Sequence, residues 1–218
     1  MKIFTKVLWL LLVFMISQIW TFIMGFTMAS SVLTNTPYDP NLLTEFIITA
    51  SAIASIYLTW LIAKAAQIPL PKLKGWTVKD FAVVLGMTIL TRVLVRVGIF
   101  SLQNMDIKST ANDAVLANMF TNFSFPLLFI IVAICGPILE EWTFRAGIIG
   151  YLFEKYPIIG VIISSLIFGA MHIPTNLISW GIYGGIGLVY SLVYYKTKRL
   201  ELVMAMHILH NAAATFNL

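Results

Sequence analysis

Charge is what this sequence has least of. Asp, Glu, Lys and Arg make up 11% of it, where a soluble domain carries about a quarter. A net charge of +5 in so apolar a chain is too little for a nucleic-acid binder, so no nucleic-acid partner is expected. Cysteine is nearly absent: a single Cys135 excludes an internal disulfide and any cysteine-rich metal site. Nothing reads as a linker, a soluble domain or an internal repeat. What fills the 218 residues is apolar, 60% hydrophobic with a mean hydropathy of +0.92. Such a chain crosses a lipid bilayer several times.

About 20 mostly apolar residues cross a hydrocarbon layer of about 30 Å. By that measure seven segments qualify: 7–29, 43–66, 80–100, 125–153, 157–173, 177–195 and 201–217. The expectation is an all-α, polytopic transmembrane bundle in which residues 1–218 form one membrane domain. Six or eight spans are the neighbouring counts, because the third segment carries Arg92 and Arg96 and the last is short. The first segment follows Lys2 and Lys6 as a signal peptide would. Its apolar run of about 22 residues is too long for a cleaved one, so a retained anchor is expected.

The loops set an orientation. Lys2, Lys6, Lys64, Lys72, Lys74, Lys79, Lys155, Lys196, Lys198 and Arg199 fall on one side. The other side holds Lys108 as its only base, with Asp39, Glu45, Asp106 and Asp113. The positive-inside rule then predicts a cytoplasmic N-terminus.

Against this background the charges within apolar segments stand out, since each costs roughly 2.5–3.5 kcal/mol on insertion scales. Glu140, Glu141 and Arg145 fall in one apolar helix. Glu141 and Arg145 are spaced i, i+4 and can pair on one face, which alone could serve helix packing. Glu140 is turned about 100° away and has no evident partner. All three histidines lie in the C-terminal third: His172 just before Pro174, His207 sharing a helix face with Asn211, and His210 about 60° from His207. Singly, each histidine reads as a helix-to-helix hydrogen bond. Together, a glutamate, a histidine, and a second histidine with an amide are what water activation and oxyanion stabilisation require.

Three motifs carry a family resemblance: Glu140-Glu141-x-x-x-Arg145, Phe168-x-x-x-His172 and His207-x-x-x-Asn211. In order, spacing and apolar setting they resemble those of the CPBP (Abi) family of CaaX proteases and bacteriocin-processing enzymes, which includes the type II CaaX prenyl endopeptidases. Pro137 and Phe144 fit too, whereas Ala146 stands where many members have glycine. The likeness covers residues 125–217, the expected catalytic core. It implies an intramembrane endopeptidase in which Glu140 is the general base and His172 its partner. His207 and Asn211 would then stabilise the oxyanion, and Glu141 and Arg145 would hold the helix turn that aims Glu140. No cofactor is firmly implied. Zinc on Glu140, His172 and His207 remains the alternative to a metal-free site, although the HExxH helix of soluble zinc proteases is absent.

The resemblance further implies a membrane-associated peptide or protein substrate, with bacteriocin processing or self-immunity as roles known among prokaryotic members. Short loops and the lack of a retrieval signal favour a bacterial plasma membrane. Two other classes stay open: a non-catalytic immunity or receptor-binding membrane protein, and a proton-coupled transporter, for which an inverted repeat is missing. Depth is the discordant element. Counting 1.5 Å per residue, Glu140 and His207 fall about 8–9 Å from the face with the basic loops, but His172 about 24 Å from it. They meet only if the fourth span overshoots or tilts.

Overall fold

The computed structural model describes residues 2–36 and 38–216, the side chain of Ser30 apart. Residue 217, the end of the predicted last span, lies outside the described residues, as do residues 1 and 218 of the predicted single domain. The helices are α1 (Ile3–Ser17), α2 (Ile19–Thr34), α3 (Leu42–Ala66), α4 (Val78–Gln103), α5 (Ala111–Met119), α6 (Phe125–Leu152), α7 (Pro157–Met171), α8 (Leu177–Thr197) and α9 (Leu200–Thr215). No strand occurs among the described residues. The molecule is a helical membrane bundle. Without water to satisfy backbone amides, helices are one of only two ways to cross lipid.

All seven predicted segments are helical, but they differ in reach. α3, α4, α6 and α8 have 25, 26, 28 and 21 residues and are long and apolar enough to cross. α1 and α2 meet at a 40° bend and would make a fifth crossing as a broken pair. The break falls at Ser17 and Gln18, where the Ser17 hydroxyl donates to Phe14 O at 2.7 Å and Gln18 Nε2 donates to Ser17 Oγ. Such back-bonding bends helices. α7 and α9, at 15 and 16 residues, are shorter than a crossing. α5 has no counterpart among the predicted segments; it starts at Thr110, whose hydroxyl caps Asp113 N at 3.1 Å.

Helix starts follow local chemistry. Thr77 with Asp80, and Asn176 with Ser179, form capping boxes that satisfy otherwise orphaned amides of α4 and α8. Pro126 and Pro157 occupy first turns, where the missing N–H costs nothing. Between helices, small residues set the approach. A Cβ on Gly169 of α7 would lie 2.9 Å from the backbone N of Gly184 on α8, and one on Gly187 would lie 3.1 Å from Phe168 Cβ. That hairpin packs closely because neither position carries a side chain.

Contacts sort the loops into two ends. At one, Lys6 Nζ donates to Tyr151 O at 2.7 Å, Lys72 N donates to Glu201, and Arg199 pairs with Asp80 and Glu201. At the other, Ser124 donates to Glu45, Asn122 donates to Tyr38 O, and the Phe125 and Phe216 rings meet. The basic loops thus share one end, as their spacing along the sequence predicts.

This partition generates a labelling test. Native Cys135 is 2% exposed and is first replaced by alanine. In intact cells a cysteine at Lys74 is expected to be shielded from an impermeant thiol reagent, and one at Asp106 to be labelled. The reverse pattern would invert the orientation.

Candidate functional site: a buried glutamate–histidine cluster

α6 is not a uniform helix. Phe129–Cys135 and Trp142–Leu152 run with π-type, i→i+5 bonding, and only Gly136–Glu141 between them is α-helical. π segments leave carbonyls without their usual partners. Gly136 N donates to Ile131 O, five residues back. By the same pattern Val132 O looks to residue 137, but Pro137 has no N–H. Asn211 of α9 fills the gap, its Nδ2 donating to Val132 O at 3.0 Å. Pro137 therefore explains why a side-chain amide from another helix is fixed here. An amide nitrogen has two N–H groups, so one remains for other use.

Glu140 and Glu141 follow within the α-helical turn and diverge. Glu141 has no exposed surface, and its Oε1 accepts from both Arg145 Nη1 at 3.1 Å and His207 Nδ1 at 2.8 Å. Arg145, equally buried, donates through Nη2 to Gly187 O at 3.1 Å and lies over the Phe168 ring at 4.5 Å. Glu140 instead keeps 35% of its side chain exposed and turns into a cavity. Its Oε2 is buried without a hydrogen-bond partner, with His207 Nε2 at 3.9 Å.

His172 closes α7. Its Nδ1 lies 2.7 Å from Phe168 O; a carbonyl can only accept, so Nδ1 carries the proton and Nε2 the free lone pair. The ring stacks on Tyr183 at 4.3 Å with an interplanar angle of 16°. The Tyr183 hydroxyl donates to Asp113 Oδ1 at 2.8 Å, tying the His172 ring to the start of α5. Directly after His172 the chain turns through Ile173 at φ +49°. A β-branched residue there is strained, doubly so before proline.

A cavity of about 480 Å³ brings together Glu140, His172, His207 and Asn211. It reaches the α4–α5 connection at Lys108–Asp113, at the end of the bundle away from the basic loops. Glu141 and Arg145 stand behind it. Glu140 also borders a second cavity of about 200 Å³, lined by Ser17 and Gln18 at the α1–α2 break. Among the described residues, no three of His, Cys, Asp and Glu group as a metal-ligand set. Glu140, His172 and His207, the ligands in the zinc alternative, line one cavity.

Residues 122–213 match the family model of the type II CAAX prenyl endopeptidase, Rce1-like. This segment is similar to the Rce1-like family. The matched segment holds α6 to α9 up to residue 213, and with them Glu140, Glu141, Arg145, His172, His207 and Asn211. Among similar proteins, the UPF0177 protein YvdC of Lactococcus lactis is 29% identical over 157 residues, 72% of this chain and 59% of that one. The membrane-embedded CAAX protease MroQ of Staphylococcus aureus is 39% identical over 93 residues, 39% of this chain and 37% of MroQ. The UPF0177 protein YaiH of L. lactis is 39% identical over 89 residues, 40% of this chain and 36% of that one. The chain thus spans at most about three-fifths of these relatives' lengths. No solved structure matches it significantly.

Three features lay beyond the sequence reading. Glu141 binds His207 as well as Arg145, a contact across 66 positions that no local spacing signals. Tyr183 and Asp113 position His172. His210 also lines the cavity, with a buried, unpartnered Nδ1; its 60° offset from His207 was a usable hint.

The two glutamates should separate in stability. Glu141→Gln leaves the Arg145 guanidinium buried without its anion, and breaking such a pair costs on the order of 3–5 kcal/mol. Detergent-solubilised Glu141→Gln is expected to melt well below wild type, while Glu140→Gln, which loses no bond, stays near it. Equal melting would contradict the pairing.

Proposed function

We propose that the chain is an intramembrane endopeptidase that hydrolyses a peptide bond of a membrane-associated protein or peptide. The observation that carries this reading is the Glu140 carboxylate. One of its oxygens is buried without a partner in a cavity shared with two imidazoles and an amide.

In this reading, a water held between Glu140 and His172 Nε2 attacks the scissile carbonyl as Glu140 takes its proton. The tetrahedral oxyanion receives hydrogen bonds from the protonated His207 Nε2 and the second N–H of Asn211. Glu141, already bound to His207 Nδ1, steadies the positive charge on that ring. Collapse of the intermediate returns the proton from Glu140 to the leaving amine, which leaves the enzyme unchanged. Preorganised donors of this kind are worth about 10²–10³ in rate each. Arg145 supports Glu141, and through it His207. Every step in this reading uses protein groups alone.

The similarity of residues 122–213 to the Rce1-like family and the printed name of MroQ support peptidase chemistry. We place the chain in a bacterial plasma membrane with its N-terminus cytoplasmic, on the loop charges. A role in bacteriocin processing or self-immunity is compatible with this chemistry.

The deciding experiment compares peptides released from membranes carrying wild type or Glu140→Gln. Release is expected to vanish in the variant while its melting stays near wild type. A variant that keeps releasing peptides would remove Glu140 as the base. A cellular phenotype that survives the loss of release would favour the non-catalytic immunity or receptor-binding role. Purified enzyme is also expected to stay active after exhaustive chelation, with no stoichiometric zinc by elemental analysis. Activity lost to the chelator and restored by zinc would recast Glu140, His172 and His207 as ligands.

A further inference from the structure

The proposed hydrolysis leaves unused a set of charges that line the same cavity as the motifs. Arg92 and Arg96 of α4 line the cavity that holds Glu140, and Lys108 joins them from the α4–α5 connection. The arginines are four residues apart, so they share a helix face, where like charges repel. Each also bears the insertion cost of a charge in an apolar helix. Arg145 shows how this protein offsets that cost, with a buried carboxylate on its guanidinium. Arg92 and Arg96 have no such anion: among the described residues neither takes part in an ion pair or a side-chain hydrogen bond. Asp113, the acid beside them in the lining, already accepts from the Tyr183 hydroxyl. Two guanidinium groups with no internal anion therefore face the space a substrate would fill.

From this placement we infer that Arg92 and Arg96, with Lys108 at the mouth, form a subsite for a carboxylate of the peptide substrate. The inference rests on the peptidase reading and adds what the substrate must carry. A guanidinium fork matches a carboxylate in two parallel hydrogen bonds, which a point charge does not. Two arginines on successive turns can clamp one such group. The carboxylate comes either from the chain terminus or from an Asp or Glu side chain. A peptide fits better than a lipid headgroup because the arginines share their cavity with Glu140, His172 and His207. Lys108–Asp113 place the approach at the end away from the basic loops, the same end that the labelling experiment addresses.

The test measures binding rather than turnover, so it stands apart from the peptidase reading. Full-length Glu140→Gln protein in neutral detergent is titrated against three fluorescein-labelled apolar peptides of one sequence. One ends in a free carboxylate, one in an amide, and one is amidated with an internal Glu. The free acid or the Glu peptide is expected to bind about tenfold or more tighter than the plain amide, within the range of charge-assisted hydrogen bonds. Whichever of the two does so identifies the source. Arg92→Gln with Arg96→Gln should bring the ratio to about one. Arg92→Lys with Arg96→Lys, which keeps the charge and tests the site should the first pair fail to fold, should retain part of the preference. Equal binding of all three peptides would overturn the subsite. So would a preference that survives the glutamines, or one abolished by adding phosphatidylglycerol to the micelles, which would assign the arginines to a lipid phosphate. Peptide release from wild-type membranes is scored separately, so failure of either reading is visible by itself.

Discussion

A carboxylate with no exposed surface joins three helices of this bundle. Glu141 reaches Arg145 on its own helix and His207 on α9, and Arg145 reaches the Gly187 carbonyl on α8. In low dielectric, neither Glu141 nor Arg145 tolerates loss of the other. Their geometry therefore fixes the rotation of α6, and with it the direction of Glu140 one residue earlier. The same contact fixes His207 by holding Nδ1, which leaves Nε2 toward the cavity. Ion pair, helix packing and imidazole orientation are one arrangement, so a packing role and a supporting role for Glu141 and Arg145 coincide.

The depth discrepancy resolves once positions are counted from a hairpin rather than from a membrane plane. Glu140 lies sixteen residues before Tyr156, and His172 lies sixteen residues after it. α6 and α7 run antiparallel from that turn, so the two side chains come level. The sequence reading treated α7 as entering at the interface together with the other helices, and that choice produced the mismatch. Counted along their own helices, Glu140 and His207 fall toward the basic loops, whereas the cavity reaches the opposite end at Lys108–Asp113. A periodicity argument locates residues along their own helix. It does not say where one helix stops relative to its neighbour.

How much was legible follows the range of each interaction. The Glu141–Arg145 pair and the common face of His207 and Asn211 depend on i, i+4 spacing, and the sequence displays both. That Asn211 would be held by the Val132 carbonyl was not legible. It needs the π-helical register of Phe129–Cys135, in which Pro137 leaves Val132 O unclaimed. The contact of Glu141 with His207 and the stack of Tyr183 on His172 join residues with no periodic relation. The segment 157–173 outruns its helix for a related reason. An apolar run continues past a helix end, as at Met171, where His172, Ile173 and Pro174 break the helix although their neighbours remain hydrophobic.

α7 and α9, both too short to cross alone, are the helices that deliver His172, His207 and Asn211. At 15 and 16 residues they extend about 23–24 Å, less than the roughly 30 Å of a hydrocarbon core. A hydrophobic stretch shorter than the bilayer draws the lipid surfaces inward or brings flanking polar groups down to meet it. Helices this short hold the cluster where the hydrocarbon barrier is easiest to narrow. Water and a peptide backbone, both poorly soluble in hydrocarbon, have the least lipid to displace beside the residues that would act on them.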